Sequence, residues 1–241
     1  MVWVFVRLDQ VAAGRRVIEG EKARHLARVL RIRQGERGVA VSDGREHVFE
    51  VVQVERDRIQ GVILETHPIR TEPPVGLTLL QALLPHPDFD AVLEATTAVG
   101  ATRFIPVLAE RSVARLRRDR RERWEAVVES AAAQSHRGHI PQVLPAMSLN
   151  DAVRSLAGSP LLVPHPAATD RLNISGEGSS AYALAIGPEG GWTNKEIDIL
   201  REAGGQLISL GPRILRARLA GVVAAAILIH HVNRSPMEPG S

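Results

Sequence analysis

The chain contains no cysteine. Disulfide scaffolds, cysteine zinc sites, iron–sulfur clusters and every thiolate nucleophile are therefore excluded. Aromatic residues make up only 3%, so aliphatic side chains within a hydrophobic fraction of 44% must fill the core. Lysine is nearly missing. Lys22 and Lys195 stand alone, and every other basic side chain apart from histidine is arginine. No apolar run reaches the ~18 residues of a membrane span. The longest, "LAGVVAAAILI", is too short and is flanked by Arg218 and His230. The opening "MVWVFVRLDQ" has no basic segment before its apolar run and no small-residue cleavage site after it. No signal peptide is expected, and the expected compartment is the cytoplasm.

Length and charge bound what remains. A chain of 241 residues holds one large domain or a small and a medium one. The net charge is only +3, but the arginines cluster in "RHLARVLRIRQGER" and "ERSVARLRRDRRERWE". Such clusters form either a solvated face or a nucleic-acid contact, since the guanidinium fork suits phosphates and base edges.

Residues 1–70 read as strand-rich. "VWVFV", "GVAVSD", "EHVFEVVQVE" and "DRIQGVIL" carry strand patterns, and Asp43-Gly44 marks a hairpin turn. One helix, "EGEKARHLARVLRI", interrupts them, with Ala23, Leu26, Ala27 and Leu30 on one face and arginines on the other. A small barrel is expected. "THPIRTEPP" (66–74) reads as a linker, its three prolines being unsuited to a central strand or helix. From 75 to 234 strands and helices alternate, which predicts a mostly parallel α/β sheet. The tail 235–241 is expected to fray.

Two loops carry the densest chemistry. In "AYALAIGPEGGWTNKE" a buried strand runs into Gly187-Pro188-Glu189-Gly190-Gly191, and a helix opens at Thr193 with a capping box to Glu196. Ligands of open α/β sheets bind beyond the carboxyl ends of strands, and adjacent glycines let backbone N–H groups come close. The alternative is a tight turn with no ligand. The spacing matches neither a dinucleotide fingerprint nor a P-loop. "LISLGPRILRARLAG" repeats the arrangement, so the two loops could line one pocket. "HRGH" lacks a third ligand, and Gly138 would break the helix needed to align His136 with His139, so no metal site is expected.

"GPEGGWTNKE", then "LGPRILR" before an alanine-rich helix, resembles the ribosomal RNA small subunit methyltransferase E family. "HLARVLRIRQGE", "ATTAVGATRFIPVLAERSV" and "AAAQSHRGHIPQV" extend the likeness along the chain. The resemblance implies an α/β fold: a SPOUT-type parallel sheet with a C-terminal trefoil knot (75–234), preceded by a small PUA-like β-barrel that binds RNA (1–70). It implies a homodimer and S-adenosyl-L-methionine as methyl donor. The implied reaction is methylation of N3 of one uridine in 16S ribosomal RNA, on naked RNA or the assembled small subunit. Absence of cysteine agrees with direct attack by a ring nitrogen or by a ribose oxygen, since pyrimidine C5 methylation ordinarily needs a thiolate adduct.

By the same resemblance Ile186, Gly187, Pro188, Glu189, Gly190 and Gly191 hold one side of the cofactor, and Leu210, Gly211, Ile214 and Leu215 the other. Arg216 would orient uracil carbonyls or phosphate. Glu189 would act as base or orienting group, or would cap the loop's own N–H groups. Arg7, Arg24, His25, Arg28, Arg31, Arg33 and Arg213 would meet RNA. Two departures stand out. Relatives usually carry Thr-Glu-Thr where this chain has Ala217-Arg218-Leu219, and lysines in the stretch that here holds His86 and Asp88. The competing readings are a knotted RNA methyltransferase with another target nucleotide, and an inactive RNA-binding homodimer.

Overall fold

The computed structural model describes residues 2–6, 11–12, 15–19, 32–42, 44–55, 58–113, 119–170 and 179–234; at 11–12, 15–19 and 234 only the backbone is described. The chain forms two compact units. Met1–Glu72 and Ala133–His139 make the first, Pro73–Ala132 and Ile140–Ser241 the second.

The first unit is built on six strands: β1 (Val2–Phe5), β2 (Val11–Ala12), β3 (Arg15–Glu19), β4 (Arg37–Ser42), β5 (Arg45–Val54) and β6 (Arg58–Pro68). They run in the order β1-β4-β5-β6-β3-β2, with β1 parallel to β4 and all other pairs antiparallel. The expected hairpin joins β4 to β5, with Ser42 opposite Arg45 and Gly44 at φ 64°. Alternation buries Phe49 and Val51 with Val4, Ile32, Ala40 and Ile59. Phe49 lies against two glycines. A β-carbon on Gly38 or Gly61 would come within 2.6 Å of its ring.

One expectation changes here. β6 continues through Pro68, into the stretch read as linker. Its second partner, β3, stops pairing at Val62, so the missing N–H of Pro68 breaks no ladder on that side. The short strands β2 and β3 had no clear alternation to announce them. Of the helix expected over "EGEKARHLARVLRI", Glu19 ends β3 and Ile32 joins the core, while residues 20–31 lie outside the described residues.

The chain returns to this unit at 133–139. Glu72 accepts hydrogen bonds from Arg137 (2.6–3.1 Å) and from the backbone N–H groups of Gly138 (2.7 Å) and His139 (3.2 Å). Trp3 Nε1 donates to the Arg137 carbonyl at 3.0 Å, and its ring stacks on His136 with centroids 4.7 Å apart.

In the second unit follow β7 (Gly76–Ala82), α1 (Asp88–Val99), β8 (Arg103–Leu108), α2 (Arg121–Gln134), β9 (Gln142–Val143), β10 (Met147–Ser148), α3 (Leu149–Arg154), β11 (Leu161–Pro164), β12 (Ala181–Ile186), α4 (Asn194–Glu202), β13 (Gln206–Ile208) and α5 (Ala217–Arg234). The last two residues of α2 belong to the first unit. The sheet order is β10-β8-β7-β12-β11-β13, with β9 also on β8, and every pair is parallel. This is the parallel α/β sheet that the alternating pattern predicts.

Both faces of the sheet are covered, so its strands are apolar on both sides. Leu77, Leu79, Leu184 and Ile186 join Phe89, Val92 and Leu93 of α1, Trp124 and Val128 of α2, and Ala224, Ala225 and Leu228 of α5. Leu80, Ala183 and Ala185 point the other way, toward Leu149 and Ala152 of α3 and Ile197 and Leu200 of α4. α1 ends where expected, at Gly100 with φ 128°. Among the described residues no helix is long and apolar enough to cross a membrane.

Candidate functional site

Parallel register brings the strand ends into line. Ile186 of β12 pairs with Gln81 of β7, Leu162 of β11 with Leu184, and Pro164 of β11 with Ile208 of β13. The loops after β7, β11, β12 and β13 therefore leave the sheet at one carboxyl edge, where open α/β sheets bind ligands.

The loop after β12 is a closed turn. Gly191 N–H donates to the Pro188 carbonyl at 2.8 Å, with Gly191 at φ 68°. That left-handed backbone suits glycine, and the space where a β-carbon would stand is open. Gly190 differs. A β-carbon there would sit 3.3 Å from Cβ of Arg111, whose Nη1 donates to the Gly190 carbonyl at 3.2 Å. The open approach anticipated at both glycines thus belongs to Gly191, while Gly190 makes room for the loop after β8. Gly187 faces the indole of Trp192, whose Nε1 is buried with no hydrogen-bond partner among the described residues.

The capping box is present. Thr193 Oγ1 accepts from Glu196 N at 3.3 Å, and Glu196 Oε2 accepts from Thr193 N at 2.8 Å. The other Glu196 oxygen accepts from Glu110 N at 2.9 Å. One buried carboxylate thus ties the turn after β12 to the loop after β8. Glu189 is exposed and makes no hydrogen bond among the described residues. The carboxylate that caps backbone N–H groups here is Glu196.

A cavity opens at the same carboxyl edge of the sheet. It is lined by Leu210, Gly211, Arg213, Ile214 and Leu215 of the loop after β13, by Ala220 of α5, and by Pro164, His165 and Pro166 at the end of β11. Four of the cofactor residues read from sequence meet here: Leu210, Gly211, Ile214 and Leu215. Arg213, read as an RNA contact, lines the same cavity. The residues from Ile186 to Gly191 leave the adjacent strand but do not line it. Ile214 is 87% exposed at the cavity's rim. Gly211 takes φ 104° with open space at its β-carbon position. Arg216 is exposed, and its carbonyl accepts from the N–H groups of Leu219 and Ala220, which starts α5.

Sequence reasoning missed the Pro164-His165-Pro166 wall. The signal was available: "PLLVPH" is a buried strand, and the rule applied to the ends of β12 and β13 holds equally for β11. Arg33 lies in a turn in which its N–H donates to Glu36 Oε2 at 3.0 Å. Arg7, Arg24, His25, Arg28 and Arg31 fall outside the described residues.

Comparison with known proteins places this geometry. An RNA methyltransferase domain family matches residues 71–229, and an RNA methyltransferase PUA domain family matches 18–64. Ribosomal RNA small subunit methyltransferase E of Synechocystis sp. is 35% identical over 210 residues, spanning 84% of this chain and 68% of that one. The Mycobacterium bovis protein of the same name is 35% identical over 223 residues, 86% of this chain and 83% of its own. The chain belongs to the ribosomal RNA small subunit methyltransferase E family. A family structure from Neisseria gonorrhoeae, bound to S-adenosyl methionine, superposes with a TM-score of 0.86 at 29% identity, over 96% of this chain and 98% of that one. The α/β fold with an N-terminal PUA-like domain, expected from the family's motifs, is the one observed.

The site's own chemistry suits S-adenosylmethionine. The cavity is walled mostly by apolar residues, and the β-carbon positions of Gly211 in its wall and of Gly191 in the turn after β12 are open. The buried Trp192 Nε1 is a donor left over beside that turn.

Proposed function

We propose that this chain transfers the methyl group of S-adenosylmethionine to N3 of a uridine in 16S ribosomal RNA. The observation that carries the reading is the alignment at one sheet edge of the apolar β13–α5 cavity with the glycine turn after β12, in a member of this family.

The residues to hold the cofactor are Leu210, Gly211, Ile214 and Leu215 on the cavity side and Ile186 to Gly191 on the turn side. When bound, S-adenosylmethionine supplies a methyl carbon made electrophilic by its sulfonium. This chain's task is to hold the uracil and manage one proton. N3 loses its hydrogen as it gains the methyl, and negative charge develops on the flanking carbonyl oxygens. Arg216, exposed directly after the cavity wall, offers a guanidinium to those oxygens. Glu189, exposed and unpaired among the described residues, is free to take or orient the proton. With no cysteine in the chain, no thiolate adduct precedes transfer.

On the same reading the chain acts as a homodimer in the cytoplasm, and its C-terminal segment forms a trefoil knot. Arg7, Arg24, His25, Arg28, Arg31, Arg33 and Arg213 position ribosomal RNA by its phosphates.

The test is methylation of 30S subunits and of naked 16S RNA, with mass mapping of the product nucleoside. N3-methyluridine at one position is expected. Methyl on ribose or on another base would reject the target while keeping the reaction class. No transfer together with no cofactor binding would favour an RNA-binding protein without activity.

A further inference from the structure

The segment that returns to the first unit places an aromatic pair at its surface. His136 takes φ 57°, in the left-handed region that favours glycine. Three contacts hold it there. Its N–H donates to the Ala133 carbonyl at 3.3 Å, its carbonyl accepts from Thr71 Oγ1 at 2.7 Å, and its ring lies over Trp3 with the two planes 16° apart. Trp3 is fixed in turn by its place in β1 and by the bond from its Nε1 to the Arg137 carbonyl. Yet His136 is exposed, and neither of its ring nitrogens has a hydrogen-bond partner among the described residues. A backbone outlier held this firmly, presenting a ring that bonds to nothing, is the pattern of a functional site.

Two arginines stand beside the contacts that frame the pair. Arg70 precedes Thr71, which grips the His136 carbonyl. Arg45 follows Gly44, and the His139 ring stands 3.8 Å from where a β-carbon on Gly44 would lie. Both arginines are exposed, and their side chains make no ion pair or hydrogen bond among the described residues. With one face on Trp3, the His136 ring has its other face for a further planar group, and cations nearby favour a polyanion that carries such groups. Resting on the reading that this chain acts on ribosomal RNA, we propose that His136 stacks an unpaired base of that RNA, while Arg45 and Arg70 meet flanking phosphates. Bases within a duplex have both faces covered, so the site takes a loop, a bulge or a single strand.

The test is fluorescence anisotropy of the full chain with two labelled probes. One is octaadenylate; the other is an eight-unit abasic strand with the same phosphates and no bases. The variants are His136→Gly and His136→Asn, which both tolerate the left-handed backbone but carry no ring, and His136→Phe, which restores one. The wild type should prefer octaadenylate. The glycine and asparagine variants should bind it about 5- to 100-fold more weakly, the range of one lost base–aromatic stack, with the abasic strand unaffected. His136→Phe should recover most of the loss. Arg45→Gln with Arg70→Gln should weaken both probes alike. Ringless variants that hold octaadenylate like the wild type would overturn the platform, as would an equal loss on the abasic strand or no recovery with phenylalanine. Methylation of 30S subunits, measured in parallel, separates the two readings. Wild-type protein that methylates 30S subunits but fails these tests overturns the platform alone. Wild-type protein that neither methylates nor binds octaadenylate overturns the RNA reading and the platform with it.

Discussion

Arg218 Nη1 lies 3.2 Å from Asp88 Oδ1, joining the first turn of α5 to the first turn of α1. The two residues lie in the two stretches where the sequence departs from the motifs it resembles, Ala217-Arg218-Leu219 and the segment holding His86 and Asp88. In this chain the two positions form an ion pair. Arg218 is therefore engaged within the protein. Both side chains are partly exposed, 47% and 34%, so the pair is worth about 0.2–1 kcal/mol. A double-mutant cycle with Asp88→Asn and Arg218→Gln, read by urea denaturation, is expected to return a coupling of that size. The cycle cancels the separate effect of each charge on its helix dipole. Zero coupling would make the two departures independent.

Arg216 is the contrasting arginine. It precedes α5, is exposed, and has no carboxylate partner among the described residues. Arg216→Ala is expected to lower methyl transfer by about 10²-fold, the scale of losing one donor to developing charge. Affinity for S-adenosylhomocysteine should stay within about twofold of wild type, on the order expected for a residue outside the cofactor contacts. If calorimetry instead records a large loss of affinity, Arg216 belongs to the cofactor and the uracil role fails.

Legibility from sequence followed the length of each periodic signal. The strands β7, β8 and β12 and helices α1, α2 and α4 each had enough apolar repeats to declare themselves. Two-residue strands such as β9 and β10 have no period to read, and the six-residue α3 hardly more. Half of the site was legible because glycine runs at strand ends are conspicuous. The wall at Pro164-His165-Pro166 was not, because a single histidine between prolines reads as an ordinary loop until register sets it beside β13. Asp88 and Arg218 are 130 residues apart, and only the packing of α1 against α5 makes them a pair.

Glu196 provides a sharper test of how the turn after β12 is held. Its carboxylate is 3% exposed and takes both Thr193 N and Glu110 N. Removal leaves two backbone donors without partners, so Glu196→Ala should cost about 1–3 kcal/mol in urea denaturation. Glu196→Gln keeps one acceptor and presents an N–H₂ to the other donor, so it should lie between. Both should weaken S-adenosylhomocysteine binding, because the turn loses its tie to the loop after β8. Stability loss with unchanged affinity would mean the turn holds its shape without that tie.

Glu72 makes a prediction about acid. Burial works to raise its pKa, but the hydrogen bond and charge of Arg137, with the N–H groups of Gly138 and His139, outweigh it and hold the carboxyl below its ordinary 4.5. A carboxyl with a lowered folded-state pKa binds fewer protons folded than unfolded. Its contribution is therefore fully present above the unfolded value, declines as pH falls below about 4.5, and is gone once pH passes below the folded one. Arg137 is 2% exposed, so Glu72→Ala removes the carboxylate that faces a buried cation and should cost about 1–3 kcal/mol. Glu72→Gln cannot titrate. Denaturation midpoints measured from pH 7 down to pH 3 should fall less steeply in Glu72→Gln than in the wild type, whatever its stability at pH 7. Parallel slopes would mean that Glu72 has the same proton affinity folded and unfolded.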